Sequence, residues 1–238
     1  MAIGPERTYP ARTTAAATDI DVGLRQYMLR VYNYMTGGLA VTGLIAYFAS
    51  TSATVMQTIY GTPLAWGVML APLGFVIFFS ARLHKMSAGT AQAVFWAFAA
   101  AMGLSLSTIF LMYTDASIAR VFFITAGTFA ATSLYGYTTK RDLTGMGSFL
   151  FMGLIGIIIA SIVNFFLASS ALDFAISVIG VLVFTGLTAY DTQRIKEMYV
   201  EADGTAVMTK KAIMGALNLY LDFINLFIML LRLFGSRE

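Results

Sequence analysis

Two aspartates stand inside long apolar stretches of the sequence, where a charged side chain is costly and is therefore a candidate for function. Asp222 is the one charged residue among residues 212–231. Asn218 and Asn225 lie four residues before it and three residues after it, so on a helix the three polar side chains form one stripe. The preceding apolar stretch ends in a similar stripe, which consists of Thr185, Thr188 and Asp191.

If these two stripes face each other and point away from lipid, the carboxyl groups of Asp191 and Asp222 come close together. Like charges in a low dielectric resist ionising together, so the pair would hold one proton near neutral pH and titrate as a unit. Carboxylate, amide and hydroxyl oxygens are also ligands for a hard metal cation, and calcium suits this set better than a soft metal does. A hydrogen-bond network that only holds the helices together is the alternative interpretation.

Arg82 is the third candidate residue. It ends the uncharged residues 31–81, and at the end of a membrane helix it would lie at about the depth of Asp191. It could therefore pair with that carboxylate and close a path through the protein. An ordinary basic anchor at a helix end would place an arginine at the same position, and the sequence leaves both interpretations open.

These candidates must be positioned by helices that cross a membrane. Of 238 residues, 58% are hydrophobic and only 11% are charged, and the mean hydropathy is +0.77. Because the uncharged stretches are too long for barrel strands, the spanning segments must be helices. We predict an all-α polytopic membrane protein with a disordered tail over residues 1–30 and seven transmembrane helices within residues 31–235. The predicted helices lie near residues 32–50, 64–81, 86–114, 121–139, 143–172, 174–190 and 212–231.

The basic residues predict the orientation of these helices. Most lysines and arginines lie in the tail and in the second, fourth and sixth connections, whereas residues 51–63, 113–117 and 169–173 contain none. The N-terminus is then cytoplasmic and the C-terminus lies outside, unless the last segment is re-entrant. The net charge is +3, and we interpret the positions of the basic residues as a signal of membrane topology and not of nucleic-acid binding. With no cysteine and one histidine, His84, we expect no cofactor, and we expect no enzymatic activity.

Two segments of the sequence resemble the hallmark segments of the Bax inhibitor-1 family, also called the transmembrane Bax inhibitor motif family. They are Phe-Thr-Gly-Leu-Thr-Ala-Tyr-Asp-Thr-Gln at 184–193 and Ala-Leu-Asn-Leu-Tyr-Leu-Asp-Phe-Ile-Asn-Leu-Phe at 216–227. Residues 135–138 and 140–143 resemble a third segment. The resemblance implies a seven-helix fold in which the C-terminal helix is central, surrounded by the other six. It also implies a bacterial-type member in the plasma (inner) membrane, in contact with membrane lipid.

The resemblance further implies a pH-sensitive calcium leak, in which Asp191 and Asp222 match the family's aspartate pair and Arg82 matches an arginine that latches the closed state. This is the first function hypothesis, with calcium as the transported ion. The second is a regulatory membrane protein that binds another membrane protein, such as a membrane-bound protease. An intramembrane aspartyl protease would also use two aspartates, but the Tyr-Leu-Asp setting of Asp222 departs from the Gly-x-Gly-Asp of such proteases.

Overall fold

The computed structural model describes the backbone of residues 12–237 and the side chains of residues 22–237. Within this part of the chain the structure is helical, and its one β pairing is an isolated bridge between Tyr113 and Arg237. A short 3-10 turn, Leu83–Lys85, follows the third helix. The α-helices are α1 (Arg12–Thr51), α2 (Ala53–Tyr60), α3 (Leu64–Arg82), α4 (Ala88–Leu106), α5 (Ile109–Met112), α6 (Asp115–Thr138), α7 (Thr144–Leu167), α8 (Ser170–Glu197) and α9 (Thr205–Phe234).

The spans confirm the predicted all-α membrane fold. Among the described residues, six helices are long and apolar enough to cross a membrane, and α1 with α2 makes up to a seventh. α1 and α2 meet at 97° near Ser52, whose hydroxyl accepts a hydrogen bond from the Val55 amide and caps α2. α9 is an unbroken helix of 30 residues, which is about 45 Å long and more than enough to span the bilayer. The alternative of a re-entrant last segment therefore does not agree with the structure, in which α9 is one continuous helix.

α1 begins before the predicted end of the disordered tail. The backbone of residues 12–30 is already helical in α1, whereas residues 1–11 lie outside the described residues. Tyr27 and Met28 are 2% and 3% exposed and belong to the core. Arg30 donates a hydrogen bond to Thr209 near the start of α9, at 3.3 Å. The boundary between tail and first helix lies earlier than predicted, because these tertiary contacts stabilise helix on the N-terminal side of the uncharged stretch.

α9 lies at the centre of the bundle, as predicted. The most apolar window of α9 is 72% buried, against 11–39% for the other five unbent spans. α9 packs mainly against α1, α4, α6 and α8, whereas α3 packs mainly on α4 and α7 on α8. The ring around α9 therefore consists of four inner helices, with α3 and α7 in an outer layer. This arrangement leaves space beside α9 between α3 and α7, and again between α1 and α6.

Buried hydroxyl groups hold α9 in one rotational position. The Tyr220 side chain is completely buried, and its hydroxyl forms a hydrogen bond with Thr42 Oγ1 of α1 at 2.6 Å. Thr42 in turn donates to the Ala99 carbonyl of α4 at 2.8 Å. Such bonds add to van der Waals packing in a membrane, where apolar helix surfaces have no preference for each other over lipid. Tyr220 thus fixes which side of α9 each of its other residues faces.

Small residues let α6 and α7 approach α8 closely. A Cβ added at Gly136 of α6 would overlap the backbone of Ala189, and one added at Gly147 of α7 would overlap the ring of Tyr190. Overlap with backbone cannot be relieved by a side-chain rotation, so Gly136 is required at this contact. The segments 135–143 and 184–193 therefore pack directly on each other, next to the functional candidates.

Candidate functional site

The two candidate aspartates lie on neighbouring antiparallel helices, α8 and α9. The register of these helices follows from two close contacts, in which Gly215 faces Ile195 and Gly180 faces Met229. Asp191 of α8 therefore lies level with Asn218 of α9. Asp222 lies about one turn, or roughly 5 Å, deeper. The last helix was predicted near residues 212–231, and α9 in fact begins earlier, at Thr205.

Both carboxyl groups line one cavity of about 1090 Å³. We call it the aspartate cavity. Asp222 is 5% exposed and Asp191 is half-buried. The two carboxyl groups are close enough to interact electrostatically. The walls are apolar side chains of α3, α4 and α7. The polar residues that line this cavity are Ser148, Ser161, Tyr190, Asp191, Arg194, Asn218, Asp222 and Asn225.

The amide side chains supply further oxygen atoms to the aspartate cavity. Asn218 and Asn225 both line it, as the sequence stripe predicts for residues one turn on either side of Asp222. The Asn225 amide nitrogen donates to the Leu221 carbonyl at 2.8 Å, which leaves its amide oxygen as an acceptor. The structure thus brings together two carboxyl and two amide groups from two helices.

One carboxylate oxygen has no hydrogen-bond partner. Asp222 Oδ2 is buried, and no described residue donates to it. A buried, unpaired carboxylate oxygen is strongly unfavourable, so such a group needs a proton, a water molecule or a cation. Among the described residues there is no group of three or more acidic, histidine or cysteine side chains that could hold a metal. Asp191 and Asp222 are the two acidic groups of this cavity, and the side chains of Asn218 and Asn225 add neutral oxygen atoms to it.

Thr185 and Thr188 do not line the aspartate cavity. Thr188 is fully buried, and its hydroxyl donates to the Phe184 carbonyl at 2.8 Å within α8. Residues three apart rotate by about 60° around a helix at each step, so the threonines turn away from the side that carries Asp191. The α8 residues that do line the cavity are Phe184, Leu187, Tyr190, Asp191 and Arg194.

The predicted pair between Arg82 and Asp191 is not formed. Arg82 is exposed at the end of α3 and does not line the aspartate cavity. The ion pairs among the described residues are Lys211 with Asp203 and Arg232 with Asp173. The cation whose charge acts on Asp191 is Arg194, one turn further along α8. The spacing of three residues between Asp191 and Arg194 was the signal in the sequence that could have identified it.

A chain of hydroxyl groups holds α8 against α1 and α6, and sequence reasoning missed it. Tyr32 OH and Ser133 Oγ form a hydrogen bond at 2.6 Å. Ser133 also bonds to Thr192 Oγ1 at 2.9 Å, and Thr192 donates to the Thr188 carbonyl at 2.7 Å. Thr192 follows Asp191 directly. This chain therefore positions the segment of α8 that carries the aspartate.

Gln193 and Lys196 fix the loop between α6 and α7 to α8. Gln193 Nε2 donates to the Arg141 carbonyl, and its Oε1 accepts from the Leu143 amide, both at 2.9 Å. Lys196 Nζ donates to the Tyr137 carbonyl at 2.8 Å and lies 5.4 Å from the centre of the Tyr137 ring. The α8 residues Gln193 and Lys196, which follow Asp191, thus have a structural role.

Comparisons with known proteins agree on one family for this chain. A sequence model of the family described as "Inhibitor of apoptosis-promoting Bax1" matches residues 24–238. Inner membrane protein YbhL of Escherichia coli (strain K12) is 53% identical, over 91% of this chain and 94% of its own length. Uncharacterized protein RP147 of Rickettsia prowazekii (strain Madrid E) is 51% identical over 95% and 96%, respectively. An uncharacterized protein of Caulobacter vibrioides is 46% identical over 99% and 97%. The matched range contains all three segments on which the resemblance rests.

Proposed function

We propose that this chain, which belongs to the Bax inhibitor-1 family, is a passive, pH-sensitive calcium leak of the bacterial inner membrane. It is an integral membrane protein, and its E. coli relative carries the name of an inner membrane protein. The observation that carries the proposal is the pair Asp191 and Asp222, which meets in one cavity within the bundle, with Asp222 Oδ2 unpaired.

The aspartate pair can act as a proton-dependent cation site. Two adjacent carboxylates in a low dielectric resist carrying two charges, so in the proposed mechanism they share one proton and keep one negative charge. Calcium in a tight site takes six to eight oxygen ligands, and here Asp191, Asp222, Asn218 and Asn225 offer only part of that number. Water would complete the shell. Such a site binds a cation weakly enough to release it, which conduction requires.

Arg194 supplies a reason for flux to rise as pH falls. While Asp191 is ionised, the guanidinium of Arg194 is attracted to it, and a positive charge beside the aspartate cavity opposes cation entry. Protonation of the pair weakens that attraction and frees the Arg194 side chain, which is exposed at its end of α8. In this proposal Arg194 takes the latch role that the resemblance assigns to Arg82.

The proposed orientation places the N-terminus in the cytoplasm. The short connections that follow α3 and α6 and the last turn of α8 lie at one end of the bundle. They carry lysines and arginines, among them Lys85, Lys140 and Lys196. The chain has no cysteine, so single-cysteine variants report topology directly. We expect cysteine at position 140 to be labelled from the cytoplasmic side and cysteine at position 169 from the outside. The reverse pattern would invert the proposed topology.

The decisive experiment measures calcium flux into liposomes that contain the purified protein, from mild acid to mild base. We expect flux without any energy source, higher at acid pH, and a loss of this rise at acid pH in Asp222→Asn. Asp173→Asn is the matched control, since Asp173 pairs with Arg232 at the far end of α8 and does not line the aspartate cavity. Flux equal to that of empty liposomes at every pH would overturn the leak. The proposal would then pass to a non-enzymatic regulator that binds another membrane protein, such as a membrane-bound protease, which co-purification would test.

A further inference from the structure

A long apolar furrow lies between α1 and α6, on a different side of α9 from the aspartate cavity. Its larger part has a volume of about 1200 Å³, and a second part has about 330 Å³. The two parts are continuous, because Leu39, Gly43, Phe122 and Phe223 line both of them. We call this space the α1/α6 furrow. It takes no part in the proposed ion site.

Small side chains keep the α1/α6 furrow open. Thr36, Ala40 and Gly43 line it from α1, and Ala126 and Ala130 line it from α6. A Cβ added at Gly43 would have no atom within 4 Å. Both helices pack mainly on other partners, so they leave a gap between them that is open to the bilayer. Apolar walls without neighbouring atoms lose dispersion contacts, so hydrocarbon chains are the natural filling of such a gap in a membrane.

The two ends of the α1/α6 furrow carry opposite charges. Arg25 lines the wider part at one end, and Asp115, at the start of α6, lines the narrower part at the other. Arg25 and Tyr47 are 22 residues apart on α1 and both line the furrow, which gives it a length of about 33 Å. That length is close to the thickness of the hydrocarbon core, so Arg25 lies at the level of lipid headgroups.

A second basic residue, Lys196, lies next to the mouth near Arg25, although it does not line the furrow. Tyr137 lines the same part of the furrow, and the Lys196 ammonium lies 5.4 Å from its ring. The hydroxyls of Tyr32 and Ser133 bond to each other at 2.6 Å, so these two polar groups inside the furrow are already paired. The furrow thus offers positive charge at headgroup level and apolar surface below it, which matches an anionic lipid.

We propose that the α1/α6 furrow binds an anionic phospholipid, whose phosphate lies at Arg25 and whose acyl chain follows α1 towards Phe223. One leaflet is about 15 Å deep, so the chain reaches the level of Met35 and Thr36, ten to eleven residues beyond Arg25. A transmembrane helix of a partner protein would fill the apolar part of the furrow but offers no phosphate to Arg25, so an anionic lipid matches both features of the furrow.

Native mass spectrometry of the full-length protein in detergent tests the proposal. The protein is titrated with phosphatidylglycerol and, separately, with phosphatidylethanolamine of the same chain length. We expect phosphatidylglycerol to bind about five-fold more tightly. One basic residue near an anionic headgroup contributes about 1 kcal/mol, which corresponds to this ratio. Arg25→Gln should remove this preference. Ala130→Phe, which places a ring in the furrow, should weaken the binding of both lipids.

Two variants serve as matched controls. Lys85→Gln removes an exposed basic residue that lines neither the α1/α6 furrow nor the aspartate cavity. Gly127→Phe adds a ring on α6 at a position where a Cβ has no atom within 4 Å. Both should bind lipid as the wild type does. Thermal unfolding shows whether Ala130→Phe is folded, and the exposed Arg25→Gln tests the headgroup independently of it.

Three outcomes would overturn the proposal. Equal binding of the two lipids by the wild type would mean that the furrow holds only ordinary bilayer lipid. Equal losses in Gly127→Phe and Ala130→Phe would place the bound lipid elsewhere. If Ala130→Phe left lipid binding unchanged but abolished co-purification of a membrane protein, the occupant would be a partner helix. None of these measurements depends on calcium flux.

Discussion

Asp222 and Phe223 are adjacent in the sequence, yet they face two different spaces beside α9. Asp222 lines the aspartate cavity, together with Asp191, Arg194 and the two asparagines. Phe223 lines the α1/α6 furrow, where it packs against Phe122 and Phe129 with ring centres 5.5 and 5.6 Å away. Both residues are buried, at 5% and 3% exposure. Burial alone therefore does not identify the functional side of α9; the chemistry of the residues that face each space does.

The largest effect that this comparison predicts is the effect of Asp222→Asn. The variant keeps the shape of the side chain and removes its ability to ionise, so Asp191 and Asp222 can no longer share a proton. We expect the rise in calcium flux at acid pH to shrink by about ten-fold, the ratio given by 1.4 kcal/mol, so that flux depends little on pH. Phe223→Leu, one residue away, should keep the wild-type pH profile. If both variants changed flux in liposomes equally, the two sides of α9 would not differ in function.

The second prediction concerns coupling between the two aspartates. Because Asp191 and Asp222 act on each other's charge, the double variant Asp191→Asn with Asp222→Asn should change flux by less than the product of the single effects. Contacting residues typically show coupling of about 0.5–3 kcal/mol. A double-mutant cycle of flux across pH provides the measurement. Independent effects would place the two carboxyl groups in separate sites.

The third prediction separates two arginines. Arg194 lies beside Asp191, whereas Arg82 is exposed outside the aspartate cavity. We expect Arg194→Gln to raise flux at neutral pH by about five-fold, as loss of roughly 1 kcal/mol of attraction would give. Flux at acid pH should change little, since the aspartate pair is already protonated there. Arg82→Ala should leave flux per protein unchanged. A rise with Arg82→Ala and none with Arg194→Gln would restore Arg82 as the latch.

The smallest predicted effect lies on the furrow side. Ser133→Ala removes the hydroxyl that joins Tyr32 to Thr192, so the protein should lose about 1 kcal/mol of stability, the usual value of a buried hydrogen bond. Thermal unfolding in detergent should show a lower Tm. The pH at which flux is half-maximal should not move. A shift in that pH would mean that the hydroxyl chain communicates with the aspartate cavity.

Much of the fold could be predicted from the sequence, but less of the site. The uncharged stretches gave the spans, because charge is excluded from hydrocarbon. Asn218 and Asn225 were placed beside Asp222 correctly, because residues three or four apart on a helix share a side. Thr185 and Thr188 were misplaced, since a spacing of three drifts around the helix. Arg82 was misjudged because depth in the membrane does not determine which helices are neighbours.

The sequence by itself determined the membrane class, the helical nature of the spans, the family, and the two aspartates that stand where a charge is costly. Only the tertiary structure decided that α9 packs mainly on four helices, that Arg194 accompanies Asp191, and that α1 and α6 leave a furrow open. The physical reason is that lipid-facing and protein-facing surfaces are both apolar in a membrane, so hydrophobic periodicity does not mark the buried side of a helix. Close contacts at small residues such as Gly136, and buried hydroxyl pairs such as that of Tyr220 with Thr42, make that choice.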